Sequence, residues 1–249
     1  MALFDGVWRR PTEELLLGRD EVHVWRASLD LPLPRVVELR RVLATEEMER
    51  ADRFIFERDR RHFTVARGIL RLLLGRYLGR APDTLQFQYS AYGKPALAGR
   101  PERHNLHFNL SHSGSLVLYA VTRDREVGVD VEQSTRDVDH EQLARRFFSS
   151  IENAALGALP PHQRPEAFFH CWTRKEAYIK AIGEGLSFPL DQFDVSLVPS
   201  EPARLLGNRR DPEEVTRWSL RRLLPGPGYV AALVVEGHDW QLSCWQWPD

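Results

Sequence analysis

Four charged side chains in this sequence have the types and spacing to hold a divalent cation against phosphate. Glu176 and Lys180 follow Trp172 at steps of four within CWTRKEAYIKAIGEGL, residues 171–186, so a helix there stacks all three on one face. In VGVDVE, residues 127–132, strand alternation places the three valines on one side and Gly128, Asp130 and Glu132 on the other. Same-face strand neighbours lie roughly 6.6–7 Å apart, so two carboxylates can converge on one cation. Oxygen-only ligation suits Mg²⁺ or Mn²⁺, and Mg²⁺ commonly binds substrate phosphates as well. Each motif alone has a plain alternative: a solvated edge strand, and a surface ion pair worth about 0.3–0.5 kcal/mol. Phe168 and Phe169 beside Trp172 indicate, however, that the helix is buried along that side, where charge is costly without a partner. Glu176 then becomes a third ligand beside Asp130 and Glu132, and Lys180 meets phosphate oxygens.

Other residues bear on the same chemistry. FNLSHSG, residues 108–114, sets Ser111 and His112 at a strand end beside a glycine. Adjacent residues on an extended chain point apart, so this is no nucleophile–base pair; a phosphate-gripping turn is the better functional reading, and an ordinary turn the plain one. The chain has 31 arginines and only three lysines, Lys94, Lys175 and Lys180. Where most positive positions are Arg, a retained Lys marks a candidate need for a compact ammonium. Arg50, Arg53, Arg58, Arg60, Arg61 and Arg67 make one helical region strongly basic, either a solvated face or a phosphate-binding one.

The elements that must position these groups follow from periodicity. A first strand is expected at Val22–Leu29 and a proline-rich turn at Leu31–Pro34. A helical pattern starts at Thr45 and runs to Leu78, broken near Arg58–Arg60. Strands follow at Leu85–Tyr89, Leu106–Leu110, Ser115–Thr122 and Val127–Glu132, the third apolar on both faces and so buried. Helices are then expected at His140–Phe148, Ile151–Gly157 and Glu166–Ile182, and strands at Phe193–Leu197, Thr216–Leu223, Tyr229–Val235 and Trp240–Trp247. The order strand, helices, strands thus occurs twice. It predicts an α+β protein of two similar halves, 1–123 and 124–249, in a pseudo-twofold arrangement. Each half would carry a mostly antiparallel sheet with a long helix packed on it.

Composition narrows the class. At 249 residues and 43% hydrophobic content the chain can bury substantial cores. A net charge of −1 argues against general affinity for nucleic acid or membrane. Cys171 and Cys244 form no framework or metal spacing, which suits a reducing compartment. MALFDGVWRRP has no apolar leader core and no run approaches a membrane span, so a cytoplasmic location is expected.

The ordered set Gly93-Lys94-Pro95, FNLSHSG (108–114), GVDVE (128–132), RRFFS (145–149) and WTRKEAYIKAIGEGL (172–186) resembles the 4′-phosphopantetheinyl transferases. It is most similar to the surfactin-synthetase-activating type, in which two similar halves are fused. The resemblance spans roughly residues 45–200. It implies transfer of 4′-phosphopantetheine from coenzyme A to a serine of an acyl or peptidyl carrier protein, with release of 3′,5′-ADP. It places the Mg²⁺ ligands on Asp130, Glu132 and Glu176, makes Glu176 the base, directly or through a metal-bound water, and gives Lys180 to the leaving phosphate. It assigns Lys94, Ser111, His112 and Arg50 to the phosphates of coenzyme A, with Arg61 drawn from the same basic segment. Lys175 is left open, as a structural residue or one in contact with phosphate or partner. Carrier proteins of this family are acidic around the modified serine, so Arg145 and Arg146 beside Phe147 and Phe148 would form a docking surface. A monomer is expected. The alternatives are a coenzyme A-binding adaptor without catalysis and an unrelated Mg²⁺-dependent transferase using ATP.

Overall fold

The structure, a computed structural model, describes residues 7–11, 15–99, 105–135 and 138–248. Most of the N-terminal stretch on which the expectation of no leader rests lies outside them. Two sheets stack face to face with one long helix on each outer side. The first sheet has the order β11-β1-β5-β4, from Gln241–Gln246, Glu21–Ser28, Leu116–Arg123 and Leu106–Ser113. The second has the order β6-β10-β9, from Val127–Gln133, Tyr229–Glu236 and Trp218–Leu223. Short hairpins pair β2 (Phe87–Tyr89) with β3 (Pro95–Leu97) and β7 (Phe193–Val195) with β8 (Leu205–Asn208).

Three apolar clusters explain the layering. Helix α3 (Glu57–Leu78) packs Val65, Ile69, Leu70 and Leu73 on Trp25, Val117, Tyr119 and Val121 of the first sheet. Alternate residues of those strands, Val22, Val24, Leu118 and Ala120, face the other way and meet Val127, Val129 and Val131 of β6. Helix α6 (Arg164–Ile182) covers the far face of the second sheet with Phe168, Ala177, Tyr178 and Ala181. β5 is therefore apolar on both faces because it has a helix on one and a sheet on the other. The expected α+β class with a long helix on each sheet is what the chain adopts, and every strand pair but one is antiparallel among the described residues.

The exception is the closing strand. β11 lies parallel to β1, Glu21 opposite Gln241, so the last strand of 124–249 completes the sheet of 1–123. The boundary at 123/124 falls between β5 and β6, but the sheets do not divide along it. Local differences from the periodic reading have local causes. Leu33–Arg40 forms α1, with Pro34 in its first turn, where a missing N–H costs nothing. The helical break sits at Arg53–Phe56, between α2 (Thr45–Asp52) and α3, rather than near Arg58–Arg60. β4 runs through Ser111-His112-Ser113, and the turn comes only at Gly114, φ +56°.

Candidate active site

α6 and β6 meet without room for a side chain between them. A Cβ on Gly128 would lie 2.0 Å from the Ala177 carbonyl oxygen and 2.5 Å from the Ala181 nitrogen. That close approach brings the next same-face residues of β6, Asp130 and Glu132, beside Glu176 and Lys180 on α6. Glycine also ends the helix: Gly183 takes φ +75° and returns its N–H to Ile179. The result is a cleft of about 650 Å³. Ser111 and His112 of β4, Asp130 and Glu132, and Glu176 and Lys180 form its polar wall. Trp172 of α6, Arg146 and Phe147 of α4 (His140–Phe147), and the segment 188–191 form the other.

The polar wall carries two hydrogen-bonded groups, one around Asp130 and one around Glu132. The Lys180 ammonium donates to Asp130 Oδ1 at 2.5 Å and to Ser111 Oγ at 2.9 Å, while the Ser111 hydroxyl donates to the same Oδ1 at 2.8 Å. Ser113 Oγ donates to Glu132 Oε2 at 2.8 Å. Asp130 Oδ2 and Glu176 Oε1 are buried and have no hydrogen-bond partner among the described residues. An unpartnered buried carboxylate oxygen is costly. Glu176 shows the consequence: burial pushes its carboxyl up to about 7, repulsion from Asp130 adds to this, and Lys180 opposes it. His112, partly open to solvent, is held below the ordinary imidazole value by desolvation, then by Lys180 and His62, with Asp130 opposing.

The two orphaned oxygens, one from β6 and one from α6, test whether a cation belongs here. Hard carboxylate donors from Asp130, Glu132 and Glu176 match the ligand chemistry of Mg²⁺ or Mn²⁺. Among the described residues no three His, Cys, Asp or Glu side chains are drawn to ligation distance of one point, and Lys180 rests on Asp130 instead. The donor types and their unmet valence fit a divalent ion.

Other expected site residues lie elsewhere. Lys94 does not line the cleft; its ammonium donates to Glu126 Oε2 and to the Ala181 carbonyl, both at 2.9 Å, so it caps the C-terminal end of α6. Arg50 stacks on Phe63 at 5.3 Å. Arg61 donates to the Leu31 carbonyl at 2.8 Å and lines a separate cleft with Asp30, Glu57, Arg58 and His62. Of the expected docking residues, Arg145 is exposed, Arg146 stacks on Phe147 at 5.0 Å, and Phe147 meets Trp172. Phe148 is no surface residue: α4 ends before it, and it turns inward to stack on Phe168.

Lys175 resolves as structural. It is fully buried, pairs with Glu152 at 2.8 Å, and donates to the carbonyls of Leu190 and Phe193 at 2.6 and 2.7 Å. Glu152 also accepts from the backbone amides of Ser149 and Val195, the first closing a capping box on α5 (Ser150–Ala158). The pair thus ties α5, α6 and the 188–195 rim together. Residue reasoning missed Glu152, although Ser149-Ser150-Ile151-Glu152 is a readable S-x-x-E cap signal. It also missed Asn109 and Ser113, which share a strand face with Ser111 at steps of two.

Two family models match the chain. Residues 126–234 match one described as the 4′-phosphopantetheinyl transferase superfamily, and residues 33–124 match one for the N-terminal part of 4′-phosphopantetheinyl transferases. The 4′-phosphopantetheinyl transferase HetI of Nostoc sp. (strain PCC 7120) is 42% identical over 98% of this chain and 100% of its own length. Sfp of Bacillus subtilis (strain 168), another 4′-phosphopantetheinyl transferase, is 34% identical over 62% of this chain and 66% of its own. The L-aminoadipate-semialdehyde dehydrogenase-phosphopantetheinyl transferase of Xenopus laevis is 31% identical over 74% and 65%.

Proposed function

The chain belongs to the 4′-phosphopantetheinyl transferases, enzymes that move phosphopantetheine from coenzyme A onto carrier proteins, and we propose that the cleft between β4, β6 and α6 is where this one does so. The observation that supports the site most is the convergence of Asp130, Glu132, Glu176 and Lys180 with two carboxylate oxygens left unpartnered. Retention of the whole set speaks against an adaptor without catalysis.

Asp130, Glu132 and Glu176 would hold Mg²⁺ or Mn²⁺, which when bound would neutralise charge on the pyrophosphate oxygens of coenzyme A. The rest is the work of this chain's own groups. Glu176 accepts the proton of the carrier serine. The serine oxygen bonds to the phosphorus on the pantetheine side, and the bond from that phosphorus to the bridging oxygen breaks. Its electron pair leaves with 3′,5′-ADP. Lys180, a three-donor ammonium already aimed into the cleft, turns from Asp130 to the phosphate oxygens as that charge develops.

His112 lies beside Lys180 on the same wall and faces the coenzyme's phosphates. Ser111 borders them too, although its hydroxyl is already engaged with Asp130. The basic segment of Arg50 and Arg61 would serve the adenosine end, and Lys94 would reach it only by releasing Glu126 and Ala181. Arg145, Arg146 and Phe147 offer the acidic carrier a basic and apolar rim at the mouth of the cleft. The enzyme is proposed to act as a monomer in the cytoplasm. No helix among the described residues is long and apolar enough to cross a membrane.

The test is intact-mass measurement of apo carrier proteins incubated with the protein, coenzyme A and Mg²⁺. The expected result is a gain of one phosphopantetheine. No gain on any of several acyl and peptidyl carriers would refute the reading.

A further inference from the structure

β6 pairs with β10 along one edge, and its other edge lies beside β4 without a backbone ladder to it. The exposed amides of that edge still need acceptors. Three side chains of β4, all buried and two residues apart, supply them. Val129 N–H donates to Asn109 Oδ1 at 2.9 Å, Val131 N–H to Ser111 Oγ at 3.4 Å, and Gln133 N–H to Ser113 Oγ at 3.1 Å. The two sheets are thus joined at this seam by a side-chain ladder.

The serines do something there that the asparagine does not. A hydroxyl accepts and donates at once. Ser111 sends its proton to Asp130 and Ser113 sends its proton to Glu132, each at 2.8 Å, so each serine grips a backbone amide and the carboxylate one residue before it. Asn109 faces the same strand at Gly128, where there is no carboxylate to grip. We infer that Ser113, and Ser111 with it, are positioning residues: their hydroxyls hold Glu132 and Asp130 by one oxygen each in the orientation that serves the cation. On Asp130 this leaves Oδ2 as the orphan oxygen. Ser111 has a second engagement, with Lys180, so Ser113 is the cleaner case. Charge-assisted hydrogen bonds of this kind fix carboxylate geometry as outer partners do around metal ligands.

The inference rests on the proposal that these carboxylates hold a divalent ion, and the experiment separates the two. Mn²⁺ is titrated into the full-length protein with coenzyme A present, and free Mn²⁺ is read by electron paramagnetic resonance. Ser113→Ala is expected to weaken Mn²⁺ binding about tenfold, the usual scale for loss of an outer partner, and Ser113→Thr, which keeps the hydroxyl, to stay within about twofold of wild type. Asn109→Ala opens the same seam and lowers the melting temperature but should leave Mn²⁺ affinity unchanged. Equal losses in Asn109→Ala and Ser113→Ala, or no loss in Ser113→Ala, overturn the inference. If Asn109→Ala does not fold, the serine pair decides alone, and equal affinity in Ser113→Ala and Ser113→Thr overturns it. A wild type that binds no Mn²⁺ instead sinks the cation reading, and the inference with it.

Discussion

Lys175 and Lys180 leave one helix five residues apart, and their surroundings differ in one respect. Around Lys175 every group is answered: the ammonium has a carboxylate and two carbonyls, and Glu152 has two backbone amides besides. Around Lys180 two oxygens stay unanswered: Asp130 Oδ2 and Glu176 Oε1 are buried and have no partner among the described residues. A closed ionic cluster holds a structure in place, because a buried pair is only tolerable when its remaining donors and acceptors are met. An open one is poised to take something in. The first cluster fixes the rim at 188–195 and the helix that carries the second. The protein therefore keeps unmet polarity at the cleft by satisfying it fully one turn away.

Exchanging charges within the two clusters is the most direct way to break this contrast. Glu176→Gln should lower transfer to a carrier protein by about a thousandfold, on the scale of lost general-base catalysis, while leaving the fold intact. Steady-state turnover and a melting curve together check it; near-normal turnover would remove Glu176 from its role. Lys175→Met should do the reverse. It strands the Glu152 charge in the core, a loss of about 3–5 kcal/mol, or roughly a 10 °C fall in melting temperature for a chain of this length. Adding Glu152→Gln to that variant should recover part of the loss. If Lys175→Met melts like wild type, the closed cluster is not structural. Lys180→Arg sharpens the comparison further. The planar guanidinium keeps the charge but cannot reproduce the compact contacts to Ser111 and Asp130, so turnover should fall by about ten- to a hundredfold, with a smaller change in stability.

What periodicity could and could not reveal follows the range of each interaction. Trp172, Glu176 and Lys180 were legible because one helix stacks them, and Asp130 with Glu132 because one strand alternates them. Their meeting was legible only through the chemistry they share and the family resemblance. The glycine that permits it, Gly128, stood in plain view on the polar side of VGVDVE, but its need arises from the Ala177 backbone 49 residues away. Asn109 and Ser113 were hidden for a different reason. Asn, Ser and Gly clustered in FNLSHSG look like a turn by composition, and only the unpaired edge of β6 makes them acceptors. Phe148 was grouped with the exposed Arg145 and Arg146, but it falls four residues after the buried Ala144 and so on the inward side of α4. The return of β11 to β1 is a pairing across more than 200 residues that leaves no local trace.

The smallest effect discriminates most finely, because it is read from stability without any turnover. Glu176 has its carboxyl raised from 4.5 to about 7 by burial first and Asp130 second. Between those values the folded protein keeps a proton that the unfolded chain releases, so this group makes stability fall as pH rises through the window from 4.5 to 7. Below it the penalty is absent; above it the penalty is complete. Glu176→Gln removes the titration, so the melting-temperature difference, variant minus wild type, should be smallest near pH 4.5 and grow to a plateau above pH 7. Added Mg²⁺ should shrink that difference above pH 7, by stabilising the wild type's charged carboxylate, and should do little for the variant. A difference that is flat across the window would mean that Glu176 is not held against its charge. The cluster around Lys180 would then be as closed as the one around Lys175, and the contrast between them would fail.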